Sequence, residues 1–435
     1  MRKPKDFRAF LFFWASQGIS ALGSTLSYFT ITIWLAQVIY PEPDQQAALT
    51  WALAAFSFVV FIPRVVLSPF AGVWVDRWDR RKIMWVVDWL QMVLSLAIVL
   101  TLLSSQSQES VWLVFLLVGC MELMSIFHEL TFQTSYSLLV PDKKLSKANT
   151  MMQTMWTLTA SLAPIVAATI LSFPSWFFGL STLYGVIMVF AIAALIFFIS
   201  GLTLFFLPIP SPKKKQAIQK NRQPFWIDLR FGISYLWKRS SFLWLLSLTF
   251  IAQVVYASEL LFPIMVKHQL AEDWTNMGWT FPFAYGFLET AGFVGAIIAG
   301  VLISKWRGFK GSQIYAILFP LIVSGFMFIL FGLSTWLWLS SLFFFVHMFS
   351  NVFHTSYDAA IWQRNVSPEV QGRVFGIKKF ILSFAPPLGF AVSGFLGAKL
   401  ETNLVLILLG STLAFYTLIQ VFNQKLIRRE SREKA

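Results

Sequence analysis

The sequence alternates long apolar stretches with short polar ones, and this pattern constrains the fold more than any other feature. A helix needs about 20 apolar residues to cross the ~30 Å hydrocarbon layer of a membrane. Twelve stretches reach that length: 9–38, 47–75, 83–104, 111–139, 147–173, 177–207, 240–268, 276–304, 313–333, 335–364, 370–396 and 402–424. Only 12% of the 435 residues are charged and 57% are hydrophobic, which excludes a disordered protein, a coiled coil and an ordinary cytosolic enzyme. We expect an all-α polytopic membrane protein with twelve transmembrane helices.

The basic residues predict how these spans are oriented. Of the 34 lysines and arginines, 31 fall on one side of the predicted membrane, in the two termini and in alternate loops. The positive-inside rule places that side in the cytoplasm. We therefore expect a multi-pass protein of the plasma (cytoplasmic) membrane whose N- and C-termini are both cytoplasmic. The net charge of +14 then reflects topology, and no nucleic-acid partner is expected, because the charges form no single patch.

A polar central segment divides the chain into two halves. Residues 1–207 form one predicted six-helix bundle and residues 240–424 form the other, with 208–239 as a cytoplasmic linker and 425–435 as a basic cytoplasmic tail. Apolar side chains recur at helical spacing late in the linker. They predict an interfacial amphipathic helix, with a plain linker as the alternative: Phe225, Trp226, Leu229, Ile233, Leu236 and Trp237.

The two halves resemble each other in parallel. The segment 72–82 aligns with 300–310, sharing a glycine, a valine, a tryptophan and a lysine at matching positions. Two shorter matches follow in the same order at nearly the same offset: Phe127-His128 with Phe353-His354, and Ala163-Pro164 with Ala385-Pro386. Six plus six spans in parallel halves is a recurring transporter design, with the substrate site between the halves near the middle of the bilayer.

Three short motifs make the chain resemble the major facilitator superfamily. Between spans two and three, Gly72-x-x-x-Asp76-Arg77-x-x-Arg80-Arg81-Lys82 resembles the signature loop of that superfamily. In span five, the residues Ala163, Pro164, Ala167 and Ala168 resemble its antiporter motif, with alanine in place of glycine. Pro368-Glu369-x-x-Gly372-Arg373 and the general layout resemble the macrolide and multidrug efflux branch. The resemblance implies the major facilitator fold and a transporter that needs no cofactor.

The loop after span two predicts a gate. Gly72 allows close helix approach, and Asp76 can face the positive N-terminal end of a neighbouring helix. The family resemblance makes that neighbour span eleven. Arg77, Arg80 and Arg81 complete a charged latch that is expected to hold the cytoplasmic side closed. The alternative is that these charges serve topology alone.

Polar side chains follow one face of spans one, four, seven and ten, which line the central cavity in the superfamily that the chain resembles. We expect eight of them to contact substrate: Gln17, Ser20, Ser24, Tyr136, Gln253, Tyr256, Glu259 and Asn351. Spacings of three and four residues place each set on one helical face.

Several ionisable residues lie inside the predicted spans, where each costs about 2.5–3.5 kcal/mol or more and is functional by default. These are the expected proton-coupling residues: Glu122, Glu129, Glu289, His347, His354, Asp358 and Arg64. A carboxylate in apolar surroundings favours its protonated form, which allows proton uptake on one side and release on the other. Arg64 is expected to be a counter-ion to a buried acid such as Glu122. Asp88 is expected to pair with the loop arginines, and no metal site is expected.

The function that fits these features is secondary active transport, namely proton-coupled export of amphipathic or hydrophobic small molecules by a monomer in the lipid bilayer. Span four lacks the buried arginine of many proton-coupled drug antiporters, which leaves the coupling scheme open. An uptake permease or a siderophore or lysophospholipid carrier of the same fold is the alternative. A membrane enzyme is more distant, because no catalytic or Walker A motif is present and the single Cys120 cannot build a paired-cysteine site.

Overall fold

A computed structural model describes residues 7–75, 78–105, 107–141, 144–207, 233–305, 313–367 and 370–422, apart from the side chains of 68–70, 72, 73, 137 and 146. Within these ranges all regular secondary structure is helical, and twelve helices are long and apolar enough to cross a membrane. The predicted all-α polytopic fold is confirmed. The predicted linker up to residue 232, the loop residues Asp76 and Arg77, the second loop copy at 306–310, the pair Pro368-Glu369 and the tail 425–435 lie outside the described residues.

The twelve helices follow the predicted spans closely. In the first half they are α1 (Phe7–Trp34, continued by a π-helical turn Leu35–Ile39), α2 (Gln46–Val75), α3 (Arg80–Ser104), α4 (Ser110–Leu139), α5 (Leu145–Phe178) and α6 (Thr182–Phe206). In the second half they are α7 (Ser240–Tyr256, a 3-10 turn Ala257–Leu261, then Phe262–His268), α8 (Phe281–Lys305), α9 (Tyr315–Leu333), α10 (Leu337–Asn365), α11 (Gln371–Leu382 and Ala385–Gly397) and α12 (Thr402–Val421).

The boundary between α5 and α6 is where the sequence prediction misses most. The predicted fifth span ends at residue 173, ahead of Pro174, but α5 continues to Phe178. Proline is tolerated within membrane helices because other groups satisfy the freed backbone atoms. The helix instead ends at Gly179, which has a φ of 63°, the left-handed conformation that glycine adopts without strain.

The distribution of side chains is that of a membrane protein. Large apolar side chains cover the outside of the helices, and Trp112, Phe177 and Phe206 are all mostly exposed. The ionisable residues Asp88 and Glu122 are, by contrast, fully buried at 0% exposure. A water-soluble fold of this size would reverse this arrangement, whereas an apolar exterior matches hydrocarbon.

The chain divides into two compact units, one comprising Met1–Ile218 with Trp279–Phe287 and the other Gln219–Gly278 with Leu288–Ala435. The first turns of α8 therefore belong with the first unit. A methyl group on Gly286 would lie 2.5 Å from the Cβ atom of Ala168 and 2.8 Å from the carbonyl oxygen of Pro164. Ala163, Ala167 and Ala168 are fully buried, so the small residues of the span-five motif provide close helix packing.

In the second unit, α9 and α12 approach closely through two glycines. A methyl group on Gly410 would lie 2.7 Å from the carbonyl oxygen of Gly325, and one on Gly325 would lie 2.7 Å from the amide nitrogen of Ala414. These distances are too short for any side chain, because backbone atoms cannot move aside as a flexible side chain can.

Gly410→Ala is therefore expected to lower the thermal unfolding midpoint of the purified protein, since overpacking in a tight contact costs about 1–3 kcal/mol. The matched control is Gly376→Ala on α11, where a methyl group meets no described atom within 4 Å. Equal midpoints for the two variants, measured in the same detergent, would show that the close approach does not support the fold.

Candidate functional site

The first unit contains a partly buried charge cluster built around Arg64 on α2. Its Nε atom forms an ion pair with Glu122, and its Nη1 atom donates a 2.8 Å hydrogen bond to Glu129 Oε2. Both acids lie on α4, seven residues apart and hence on one helical face. The predicted pairing of Arg64 with Glu122 is confirmed. Arg64 also binds Glu129, which the sequence did not specify.

The two acids of this cluster differ in their surroundings. Glu122 is completely buried and also accepts a hydrogen bond from the hydroxyl of Tyr28 on α1. The Glu129 side chain is 34% exposed and accepts a second hydrogen bond from Gln133 Nε2 at 3.0 Å. Arg64, which is 40% exposed, therefore links a closed carboxylate to an accessible one. We call Arg64, Glu122 and Glu129 the Arg64 triad.

A second buried charge in the first unit is Asp88 on α3. The prediction that it pairs with the loop arginines is wrong for the two that the structure describes. Arg80 donates to the carbonyl oxygen of Thr134 at 2.8 Å, and Arg81 to that of Leu204 at 3.3 Å. Asp88 lies eight residues beyond Arg80, about 12 Å further along the helix, so neither arginine reaches it. Its contacts are instead Ser20 and His128, at 3.2 and 3.1 Å.

The predicted cavity residues of α1 and α4 lie as follows. Gln17 and Ser20 are buried against neighbouring helices of the first unit, with Gln17 donating to Ser200 on α6 at 3.2 Å. Ser24 is partly buried, and its hydroxyl is 3.5 Å from the carbonyl oxygen of Ser20. Tyr136 donates to Asn149 at 2.8 Å. The face shared by Gln17 and Ser20 thus points into the unit.

In the second unit, His347 on α10 is the centre of a polar network. Its Nδ1 atom is 2.8 Å from Ser324 Oγ, and its Nε2 atom is 3.2 Å from Glu259 Oε1. Ser324 also donates to the hydroxyl of Tyr256 at 3.2 Å. Tyr256 and Phe328 each stand edge-on to the imidazole at 4.7 Å between ring centroids. The network therefore brings together a histidine, a carboxylate and aromatic rings from α7, α9 and α10.

Glu259 occupies a special place on α7. It lies within the 3-10 turn Ala257–Leu261, which is followed by Pro263 in the next helical segment. A 3-10 turn has three residues per turn, fewer than an α-helix, so it changes the directions in which the side chains of the two flanking α-helical segments point. Glu259 remains about one-third exposed, whereas His347 behind it is buried.

The remaining predicted residues of α10 belong to a different group. Asp358 forms an ion pair with Lys378 on α11 and accepts a 3.0 Å hydrogen bond from Trp362 Nε1. His354 is buried, with its Nε2 atom 3.4 Å from Thr249 Oγ1. The polar stripe predicted on α10 is therefore divided between two partner sets, with Asn351 partly buried between them.

The last predicted residues have less specific surroundings. Gln253 is partly buried on α7, and Glu289 is partly buried on α8. Near Glu289 the helix is tightly packed, because a methyl group on Gly292 would lie 2.3 Å from the Phe344 ring. Among the residues that the structure describes, no three His, Cys, Asp or Glu side chains are grouped as metal ligands.

Lys378, Tyr28 and His128 are among the residues of these networks that the sequence did not indicate as site residues. Lys378 was counted with the loop charges, although it lies within the predicted eleventh span. Tyr28 is not among the residues predicted on span one, although it lies four residues beyond Ser24. In the sequence, His128 stands out only through the match of Phe127-His128 with Phe353-His354. A lysine inside an apolar span, opposite an aspartate in the preceding one, was the signal available for Lys378.

Known proteins resemble the chain over nearly its whole length. The sequence profile of the Major Facilitator Superfamily matches residues 13–390. Macrolide efflux protein A of Streptococcus pyogenes is 25% identical over 404 residues, which cover 92% of this chain and 91% of that protein. Macrolide efflux protein A of Enterococcus faecalis is 26% identical over 341 residues, covering 77% and 98%.

The fold also matches solved structures. A bacterial homologue of the iron transporter ferroportin, in an inward-facing state, superimposes with a TM-score of 0.66 at 16% identity, covering 98% of this chain and 99% of that one. At this identity the likeness concerns the fold alone.

Proposed function

The chain belongs to the Major Facilitator Superfamily, a family of membrane transporters, and on this premise we propose that it exports amphipathic or hydrophobic small molecules in exchange for protons. Relatives about one-quarter identical carry the name macrolide efflux protein A, which supports efflux as the direction and macrolides as a first substrate class to test. The transporter works by alternating access, as a secondary active antiporter.

The Arg64 triad is the observation that carries the proposal. Two carboxylates share one guanidinium, so the three side chains together bear a net charge of −1 when both acids are ionised. An uncompensated charge inside an apolar span is unfavourable. A proton on one acid neutralises the triad, and a transport cycle that exposes the triad to each side in turn can load and release that proton.

Glu129 is the acid that exchanges the proton in this scheme. It is one-third exposed and therefore reachable, whereas Glu122 is fully buried and held by both Arg64 and Tyr28. Glu122 then remains the permanent counter-ion of Arg64. Of the three acids expected from the sequence, Glu122, Glu129 and Glu289, we therefore propose Glu129 as the principal proton-coupling residue.

The His347 network of the second unit is proposed to contact the substrate. Glu259 presents a partly exposed carboxylate beside Tyr256, His347 and Phe328. Aromatic rings with a few placed polar groups are the usual lining of a site for poorly hydrophilic ligands. His347, which the sequence predicted to couple protons, is given this substrate-contacting role, whereas His354 and Asp358 have other partners on α7 and α11.

The test is pH-driven flux of a labelled macrolide in proteoliposomes containing wild type or Glu122→Gln, Glu129→Gln or Glu289→Gln. We expect Glu129→Gln to reduce the pH-driven flux by about 5–150-fold. This is the factor by which one bound ligand typically changes the affinity of a protein for another. Exchange of labelled for unlabelled substrate without a pH gradient should persist in this variant, because substrate binding is intact.

Two controls make the result specific. Glu42→Gln alters an exposed acid just before the short 3-10 helix Pro43–Gln45 and should transport as wild type does. Undiminished coupling in Glu122→Gln, Glu129→Gln and Glu289→Gln alike would contradict proton coupling by these acids. If wild type transports the macrolide only in the direction of uptake, the alternative is favoured, namely an uptake permease or a siderophore or lysophospholipid carrier.

The remaining features of the proposal come from the sequence. The distribution of basic residues supports cytoplasmic termini, and a location in the plasma membrane stays a prediction. The monomeric state and the latch formed by Gly72, Asp76, Arg77, Arg80 and Arg81 stay predictions. Arg80 and Arg81 have backbone carbonyl partners on α4 and α6, which anchor the start of α3.

A further inference from the structure

Buried polar side chains from three helices meet around Asp88, and the proposed transport cycle uses neither Asp88 nor His128. Asp88 is fully buried, and its Oδ1 atom accepts a 3.2 Å hydrogen bond from Ser20 on α1 and lies 3.1 Å from His128 Nε2 on α4. Its second oxygen, Oδ2, is buried and has no hydrogen-bond partner among the described residues. Half of this carboxylate is therefore unsatisfied.

A second unsatisfied oxygen lies one helical turn away. Gln17, three residues before Ser20, uses its Nε2 atom to donate to Ser200 on α6 at 3.2 Å, and its Oε1 atom has no described partner. Gly201 packs against Trp89 and Asp88, since a methyl group on it would lie 2.4 Å from the Trp89 ring and 3.3 Å from the Asp88 Cβ atom. Helices α1, α3 and α6 thus meet at this level. We call Gln17, Ser20, Asp88 and His128 the Asp88 centre.

The charged groups on the surrounding helices are engaged elsewhere. On α2, Arg64 binds Glu122 and Glu129, and on α3, Arg80 and Arg81 donate to backbone carbonyls. Among the other titratable groups of these helices, Tyr28 donates to Glu122, Tyr136 donates to Asn149, and Lys144 and Lys147 lie over the Phe7 ring. Arg8, Lys82 and Tyr184 lie in the first turns of α1, α3 and α6. Within the described part of the chain, His128 lies within ion-pair distance of Asp88, at 3.1 Å.

We propose that the Asp88 centre binds one monovalent cation, either a proton held by the Asp88–His128 pair or Na⁺ ligated by the oxygens of Asp88, Gln17 and Ser20. A buried carboxylate with no compensating charge is strongly unfavourable, and one bound positive charge makes the centre neutral. A single carboxylate matches a monovalent cation, and carboxylate, amide and hydroxyl oxygens are the donors that hard cations prefer. The site is separate from the Arg64 triad and does not depend on the proposed export.

The adjacent residues His128 and Glu129 explain how one helix serves both sites. On α4, His128 points to α3 and Asp88, while Glu129 points to α2 and Arg64. A cation at the Asp88 centre therefore acts on the same helix as the coupling acid without sharing a ligand with it.

The test measures thermal unfolding of the full-length protein in detergent, in sodium chloride or in choline chloride of equal ionic strength, between about pH 6 and pH 8. Binding to the folded state raises the unfolding midpoint. If Na⁺ is the ligand, sodium should raise the midpoint of wild type by a few degrees over choline, and Asp88→Asn should abolish this difference. If the ligand is a proton, the midpoint in choline should vary with pH, and both Asp88→Asn and His128→Gln should remove that variation.

Two controls accompany these variants. Asp44→Asn alters an exposed aspartate and should respond to sodium and to pH as wild type does, and His268→Gln alters a histidine at the end of α7 and should keep the sodium response of wild type. Identical responses of wild type and Asp88→Asn to both sodium and pH would overturn the proposal.

A measurement on wild type keeps the proposal testable if Asp88→Asn fails to fold. The chain has only 4 histidines, so ¹⁵N-histidine spectra can follow the ring of His128, and ²²Na⁺ binding can be measured directly on the same sample. Bound sodium or a charged His128 ring supports the site. A ring that stays neutral at every pH, together with no sodium binding, refutes it. Neither readout requires transport, so a failure of pH-driven export would leave this result unaffected.

Discussion

Replacing Arg64 by leucine is expected to destabilise the first unit severely. The change leaves Glu122 fully buried without its guanidinium and with a second carboxylate, Glu129, on the same face of α4. Breaking a buried ion pair by removing one partner costs about 3–5 kcal/mol, because the other charge remains buried and uncompensated. A lower yield of folded protein and a strongly lowered unfolding midpoint in detergent are the measurable results.

The same argument predicts which second substitution rescues the protein. Arg64→Leu combined with Glu122→Gln should regain most of the lost stability, because the neutral amide removes the uncompensated charge and still accepts the Tyr28 hydroxyl. Arg64→Leu combined with Glu129→Gln should regain less, since Glu129 is one-third exposed and is less penalised as an ion. Such a double-mutant cycle separates the interaction energy of the Arg64–Glu122 pair from the effect of introducing leucine at position 64.

Arg364→Leu is the matched control, since it removes an exposed arginine from the last turn of α10. Its unfolding midpoint should stay close to that of wild type, because exposed charges contribute little. An equally small change for Arg64→Leu would show that the Arg64 triad is not a stability determinant.

The sequence predicted that Arg64 meets a buried acid, with Glu122 as one candidate, because the argument needs no geometry beyond a helix. One arginine inside an apolar span has to meet an acid within the protein, and few acids are buried there. The twelve spans followed for the same reason, since length and apolarity alone define them. Both predictions depend on solvation, which is a property of the residue types.

Predictions failed where the rotation of a helix about its axis decides the contact. The spacing of Gln17 and Ser20 correctly placed them on one face, but periodicity does not say which neighbour that face meets. The structure turns it towards α3 and α6 inside the first unit. Asp88 was assigned to arginines close in sequence, whereas its contacts come from α1 and α4, far away along the chain.

Lys378 shows the same limit for charge counting. A lysine a few residues into a helix acts as a loop charge if its ammonium group reaches water. It acts as a core residue if its ammonium group pairs with a buried acid. The basic residues near it, Arg373 and Lys379, are exposed and fit the topological role. Only the position of Asp358 on α10 distinguishes Lys378 from them.

This buried pair yields the second large expected effect. Lys378→Met leaves Asp358 buried with only the indole N–H of Trp362 as a partner, and Asp358→Asn leaves the Lys378 ammonium buried over the Trp362 ring. Each single variant is expected to lose about 3–5 kcal/mol. The Lys378→Met/Asp358→Asn double variant should unfold close to wild type, because neither charge remains.

Lys379→Met provides the closest control, one residue along the same helix and exposed, and should leave the unfolding midpoint unchanged. Transport of a labelled macrolide by the double variant then separates two roles of the pair. Wild-type flux with restored stability means that the pair only holds α10 to the Gln371–Leu382 segment of α11. Lost flux with restored stability means that the charges themselves take part in the transport cycle. Single variants as stable as wild type would contradict a buried ion pair altogether, because an uncompensated charge in the protein interior cannot be without effect.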